Sequence, residues 1–149
     1  MRKSFIVMLT ISFILFGGTI GYAETKFAGI VKTVKGSAFV VREAVCSEAV
    51  PGMKIQIGDV VKTGDIGSIA LIFTDDTIIS LGSKSEITIE DYLFEPIEGK
   101  LSFIARMIQG TLSFISGRIT KLSPGSVRLE TPAATIGVRG THVLVKVER

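Results

Sequence analysis

The sequence predicts an all-β fold: one antiparallel β-sandwich or barrel-like domain of short strands that follows an N-terminal signal peptide. Short runs rich in Val, Ile, Phe and Thr recur along the chain, and glycine or aspartate turns separate them. Within several runs apolar residues alternate with polar ones, which is typical of strands with one face in a core. No linker or low-complexity tract divides the chain, so one domain is expected.

The amino terminus has the pattern of a secretory leader. Two basic residues precede an uncharged, largely apolar run that ends at Ala23 in small residues. This pattern predicts cleavage between Ala23 and Glu24, which divides the chain into a signal peptide (1–23) and a domain (24–149). We therefore expect a periplasmic or secreted protein that meets the membrane only through its leader before cleavage.

The strands follow one another at short intervals after the leader. The SIALIFTDDTIISLG stretch is the clearest hairpin, with Asp75-Asp76 at its tip. Ala44 to Pro51 and Leu93 to Gly99 are predicted to be loops, and Gly64 to Gly67 a turn. The remaining strands are predicted at Phe27 to Lys35, Ser37 to Arg42, Met53 to Thr63 (with a Gly58-Asp59 turn), Ser85 to Tyr92, Thr111 to Ser116, Ser126 to Glu130 and Val143 to Val147.

One segment fits two structures. Leu101, Ile104 and Ile108 fall at helical spacing, whereas the nearby glycines and β-favouring residues indicate a strand. The sequence leaves Leu101 to Gln109 as either a strand or a short helix.

The charge balance excludes a nucleic-acid-binding protein. Removal of the leader leaves 15 basic and 14 acidic residues, and no basic run is interleaved with aromatic residues. The charge is uneven, because residues 99–149 hold 8 basic and 2 acidic residues. We interpret this as the solvation of two sides of one domain, and the alternative is a basic face that meets an acidic partner or membrane headgroups.

Few residues suit catalysis, since the chain holds one His, one Cys and no Asn. His142 and Cys46 lack the partners of a metal or redox motif, and Cys46 is expected to be a small buried residue. We predict no catalytic residue, cofactor or metal site. The alternative is a small secreted hydrolase that uses a serine or Asp75-Asp76, which requires His142 or those carboxylates to line a deep pocket.

Two polar and glycine-rich elements are interpreted as turns. Aspartate tolerates a positive φ, so Asp75-Asp76 suits a hairpin tip better than a calcium site. Gly137-Val138-Arg139-Gly140 precedes a strand rather than a helix, which favours a corner over an anion site. We expect Gly140 to need a positive φ there, so that its replacement by valine impairs folding.

Several of these elements together resemble the FecR domain family. The resemblance rests on the Gly58 to Gly64 turn, the Asp75-Asp76-Thr77 hairpin, Gly110-Thr111-Leu112 and the C-terminal element Thr131-Pro132-Ala133-Ala134-Thr135-Ile136-Gly137-Val138-Arg139-Gly140-Thr141. It implies an all-β periplasmic or cell-surface module without catalytic residues, whose best-known members sense an outer-membrane transducer. It assigns a structural or interaction role to Asp75, Asp76, Thr77, Thr131, Pro132, Gly137, Arg139, Gly140 and Thr141. Members usually continue through more β structure after Thr141, which implies that the domain is incomplete at the C-terminus.

The function expected from the sequence is therefore binding, as an interaction module in envelope signalling. A structural or polysaccharide-binding envelope protein is the alternative that the sequence does not separate from it. Val143 to Val147 is expected to present an open strand edge, with Val145 contributing an edge N–H. Its alternation predicts Leu144 and Lys146 on one face and the three valines on the other. Strand addition by an envelope protein or by a second copy would complete that edge.

Overall fold

The structure, a computed structural model, describes residues 26–149. The predicted leader, with its cleavage site at Ala23 and Glu24, lies outside the described residues. The chain forms an all-β module, which confirms the predicted fold class, and the barrel-like form is the one observed. No helix among the described residues is both long enough and apolar enough to cross a membrane.

Ten strands, one 3₁₀ turn and one short helix follow one another along the described chain. They are β1 (Gly29–Arg42), β2 (Val45–Glu48), β3 (Lys54–Ile55), β4 (Val60–Phe73), β5 (Ile78–Leu81), β6 (Glu86–Glu95), η1 (Pro96–Glu98), β7 (Lys100–Ile115), α1 (Arg118–Leu122), β8 (Val127–Glu130), β9 (Thr135–Gly137) and β10 (His142–Val147).

Strands β4, β5, β7 and β6 close into a small barrel. β4 pairs with β6 near its start and with β5 near its end, and β7 pairs with both of those strands. The core of the barrel centres on Phe103, whose ring lies 4.8 Å from Phe73, 5.4 Å from Tyr92 and 5.7 Å from Phe114, centroid to centroid. Outside the barrel, β1 covers the other edge of β4, while β8 and β10 pair with β7.

The ambiguous segment from Leu101 to Gln109 is a strand. Phe103, Ala105 and Met107 are buried at alternate positions of β7, so the period of two prevails over the helical spacing. The reason is tertiary, because this half of β7 forms the barrel wall with β6 along its length.

Two breaks predicted from glycines in the β1–β4 pair are wrong. Gly36 does not divide two strands but lies within β1 at an irregularity, and the predicted turn at Gly64 to Gly67 is the middle of β4. A Cβ on Gly67 would lie 2.2 Å from the carbonyl oxygen of Ser37. These glycines therefore serve the close approach of two long strands, and they do not turn the chain.

Three further predictions are wrong in part. The predicted loop at Ala44 to Pro51 contains β2, which a two-residue turn at Glu43 and Ala44 joins to β1 with φ of 47° and 65°. The predicted loop at Leu93 to Gly99 begins as the end of β6. Cys46 was expected to be buried, but it is exposed, as are all four residues of β2.

Neither α1 nor β9 is among the elements predicted from the sequence. Helix α1 lies between β7 and β8, which run parallel and therefore need a crossover. Strand β9 pairs with β8 and forms the hairpin that leads towards β10.

Candidate interaction surface

Of the two adjacent aspartates of the β4–β5 hairpin, Asp75 is fully buried and Asp76 is exposed. The Asp75 carboxylate accepts hydrogen bonds from the amide and hydroxyl of Thr77, at 3.2 and 2.7 Å. It also accepts one from the Tyr92 hydroxyl at 3.1 Å and one from the Ile119 amide at 3.2 Å. Asp76 has a φ of 69°, as expected for an aspartate at a hairpin tip. Asp75 thus joins the hairpin, β6 and α1.

Tyr92 completes this buried network. Its hydroxyl accepts a hydrogen bond from the Asp75 amide at 3.0 Å and lies 2.8 Å from the Thr74 hydroxyl. Burial raises the pKa of the Tyr92 hydroxyl well above its ordinary value, because the phenolate would lose its solvation. Gly117, the residue before α1, also contacts the network, because its amide donates a hydrogen bond to the Thr77 hydroxyl at 3.2 Å. A Cβ added to Gly117 would lie 2.3 Å from the Asp75 carbonyl oxygen.

Asp59 is a second buried aspartate, although its sequence predicted only a turn. Arg42 donates two hydrogen bonds to its carboxylate, both at 2.7 Å, and a third to the carbonyl of Lys54 at 2.8 Å. The hydrogen bond to Asp59 raises the pKa of the Arg42 guanidinium. A bidentate pair of this kind fixes the start of β4 against β1.

The C-terminal motif residues lie together at the end of the fold where β8, β9 and β10 meet. Thr131 opens the β8–β9 turn, where its hydroxyl accepts a hydrogen bond from the Ala134 amide at 3.0 Å. Pro132 follows it at a position where its fixed φ suits a turn. The Thr141 carbonyl accepts a hydrogen bond from the Ser116 amide at 2.9 Å, and the Gly140 carbonyl accepts one from the Ser116 hydroxyl.

The expected demand for glycine in this motif is wrong. Residues 138–141 do link β9 to β10, yet neither Gly137 nor Gly140 has a positive φ. A Cβ on either one would meet no atom within 4 Å. The segment is exposed, apart from the fully buried Val138, so its backbone has room for side chains. Arg139 is exposed and makes no ion pair with the residues that the structure describes.

Strand β10 has one open edge. It pairs with β7 from His142 to Val147, and within residues 26–149 it pairs with no other strand. It is longer than the other strands at the margins of the sheet, β2 with 4 residues, β3 with 2 and β9 with 3. The predicted strand is confirmed, and it presents the edge that the sequence analysis expected.

The direction of each β10 amide follows from one hydrogen bond. The Ser116 amide donates to the Thr141 carbonyl, so these two residues form a hydrogen-bonded pair. Such pairs alternate along antiparallel strands, which turns the amides of Val143, Val145 and Val147 towards β7. The expectation that Val145 contributes an edge N–H is therefore wrong. The outward amides belong to His142, Leu144 and Lys146.

The side chains of β10 differ between its two faces. Val143, Val145 and Val147 are half-buried against the core, whereas Leu144 is 74% exposed beside His142 and Lys146. This alternation is the one that the sequence predicted.

An apolar groove lies beside the open edge. It has a volume of about 410 Å³ and runs between the β8–β9 turn and the end of β10. Its apolar walls are Ile108, Pro132, Ala133, Ile136, Val145 and Val147. We refer to these six residues as the β9–β10 groove.

The residues of the hydrolase alternative line none of the four main clefts among residues 26–149. Four clefts have volumes between about 310 and 470 Å³, and neither His142 nor either carboxylate of Asp75-Asp76 lines any of the four. His142 Nε2 lies 2.8 Å from Ser113 Oγ on an exposed face, and no described carboxylate is hydrogen-bonded to the ring. Within residues 26–149 no cluster of three or more His, Cys, Asp or Glu residues has the arrangement of a metal site.

These features define a class of protein: a small all-β barrel with buried structural aspartates and one long open strand edge. The chain belongs to the FecR family, because the family model described as FecR protein matches residues 59–149. This match confirms the resemblance stated from the sequence. The matched region runs from Asp59 through the hairpin and the C-terminal motif to β10. Comparisons with curated proteins and with solved structures give no match.

Proposed function

We propose that this chain is a non-enzymatic interaction module of the cell envelope, exported by its leader, that binds an extended segment by strand addition to β10. Membership of the FecR family, a regulatory family, supports a role in periplasmic signalling. The observation that carries the proposal is the open edge of β10, with the outward amides of His142, Leu144 and Lys146.

An open edge of this length is a ready template for another strand. Unpaired N–H and C=O groups on an edge strand bind extended peptides through main-chain hydrogen bonds. Natural edges are often protected by lysine, and Lys146 lies on this one, but its ammonium group is 2.5 Å from the Glu148 carboxylate. This ion pair is exposed to solvent and therefore weak, so Lys146 still repels a basic strand but can pair with an acidic one.

Site-specific cross-linking in the native cell tests the proposal. A photoreactive side chain at position 144 should capture a partner or a second copy, because Leu144 is exposed on the proposed binding strand. The control position is Ile97, which is fully exposed on η1, away from β10. Capture at both positions to the same extent would contradict the proposal.

A proline pair then tests whether main-chain hydrogen bonds hold the captured segment. Lys146→Pro removes an outward N–H without removing a β7–β10 hydrogen bond. Edge strands accept proline at a position of this kind. Lys146→Ala removes the same side chain and keeps the N–H. We expect cross-linking from position 144 to fall sharply in Lys146→Pro and to persist in Lys146→Ala. Equal cross-linking in the two variants would show that the contact is not strand addition.

A further inference from the structure

The geometry of β10 determines where the side chains of an added strand would lie. Side chains of neighbouring strands point to the same face when they are opposite each other. Residues opposite Val145 and Val147 would therefore point to the core side of β10, where the β9–β10 groove lies. Residues opposite Leu144 and Lys146 would lie on the exposed face.

The charges around this edge are mainly basic. His142 and Lys146 lie on the exposed face of β10, and Arg139 and Arg149 flank the strand. Glu148 is the acidic residue of this segment, and Lys146 already pairs with it at 2.5 Å. Neither Arg139 nor Arg149 forms an ion pair with a side chain in the described range.

The same charges disfavour a second copy as the occupant. An antiparallel two-fold pairing centred on Leu144 would engage all three outward amides, which makes it the most favourable self-pairing. It would also bring Arg139, Lys146 and Arg149 of both copies to one shared edge, against one Glu148 from each. Like charges gathered along a strand pair destabilise it.

We infer that the β10 edge binds an acidic extended segment of another protein, with acidic side chains towards His142 and Lys146 and apolar side chains in the β9–β10 groove. This inference rests on the proposed function and specifies the chemistry of its partner. The main-chain hydrogen bonds supply the pairing, the groove selects alternate apolar residues, and the basic flanks select acidic ones.

Three synthetic peptides test the inference, with the full chain expressed with its leader and purified after export. The first peptide, Asp-Val-Glu-Val-Leu-Val-Glu-Val-Asp, places valines in the groove and carboxylates on the exposed face. The second has lysine at every acidic position, and the third has serine at every valine. Fluorescence anisotropy of labelled peptides measures affinity, and amide hydrogen exchange shows whether Leu144 and Lys146 become protected.

Two variants with matched controls locate the binding. Ala133→Phe fills the groove, whereas Ala134→Phe adds the same bulk at the next exposed position, which does not line it. Lys146→Glu reverses a charge on the edge, whereas Lys121→Glu makes the same change on α1.

We expect the acidic peptide to bind about tenfold more tightly than either other peptide, a difference that corresponds to about 1.4 kcal/mol. Ala133→Phe and Lys146→Glu should each weaken it about fivefold or more, and their controls by less than about twofold.

Equal binding of the acidic and basic peptides, or no loss in Ala133→Phe, would overturn the inference. If a bound peptide still protected the Leu144 and Lys146 amides from hydrogen exchange, strand addition itself would stand. Failure of all peptides alongside specific cross-linking from position 144 would again reject only the inference. A dimer in sedimentation that protects the same amides would replace the acidic partner by a second copy. Absence of both peptide binding and cross-linking would reject the proposed function as well.

Discussion

Replacing Asp75 by alanine removes the acceptor of four hydrogen bonds in the interior of the domain. The hydroxyls of Thr77 and Tyr92 can rotate towards other acceptors. The amides of Thr77 and Ile119 cannot, because the hairpin and α1 fix their directions. A buried donor without a partner costs about 1–3 kcal/mol, so two such donors predict a loss of about 4 kcal/mol in the free energy of unfolding.

Urea denaturation followed by far-UV circular dichroism measures this loss as a change in midpoint at constant slope. The matched control is Asp65→Ala, which removes an exposed carboxylate that lies 3.8 Å from Lys84 and should change stability by no more than about 0.5 kcal/mol. If Asp75→Ala costs no more than Asp65→Ala, the buried network does not hold the hairpin, β6 and α1 together.

Three further predictions concern a close contact at Gly117, the buried Tyr92 and the leader. Gly117→Ala should destabilise the domain by about 3 kcal/mol in urea denaturation, because its Cβ would lie 2.4 Å from the Thr77 amide nitrogen. The control Gly140→Ala should change the free energy of unfolding by no more than about 0.5 kcal/mol, because its Cβ meets no atom. A larger loss in Gly140→Ala than in Gly117→Ala would contradict this prediction. The raised pKa of Tyr92 means that its hydroxyl stays neutral in the folded protein at a pH where it ionises in the unfolded chain. Tyr92 therefore contributes fully to stability below about pH 10, and this contribution is lost as the pH rises above that value. Tyr92→Phe should therefore flatten the fall in stability at alkaline pH, and an unchanged pH profile would contradict this. Amino-terminal sequencing of the exported protein should begin at Glu24, and a chain that still begins at Met1 would contradict the predicted cleavage.

Local patterns in the sequence were sufficient for the fold class and for several strands. The β4–β5 hairpin, with its aspartate tip, and the alternation in β10 depend on neighbouring residues, which sequence periodicity describes directly. The β1–β2 turn was missed because Glu43 and Ala44 adopt positive φ without the glycine or asparagine that normally indicates it.

Most features of the fold and of the site that the sequence did not predict depend on contacts between residues far apart in the chain. Asp75 meets Tyr92 and Ile119, which are 17 and 44 residues away, and no local pattern identifies these two residues as its partners. The strand edge was predictable from alternation, but the directions of its amides were not, because they depend on the register between β10 and β7. The β9–β10 groove likewise exists only because the parallel β7–β8 crossover brings Ile136 near Val145.

The attachment of β10 to a single neighbour has a consequence for the energy landscape of the native state. The ring of β4, β5, β7 and β6 closes without β10, which is attached through its register with β7 from Gly110 to Ile115. Such a strand can open locally at a free energy below that of global unfolding, while the barrel stays closed. Its amides should exchange with solvent earlier than those of β5, and any strand that joins it would slow that exchange more than it would raise the stability of the barrel.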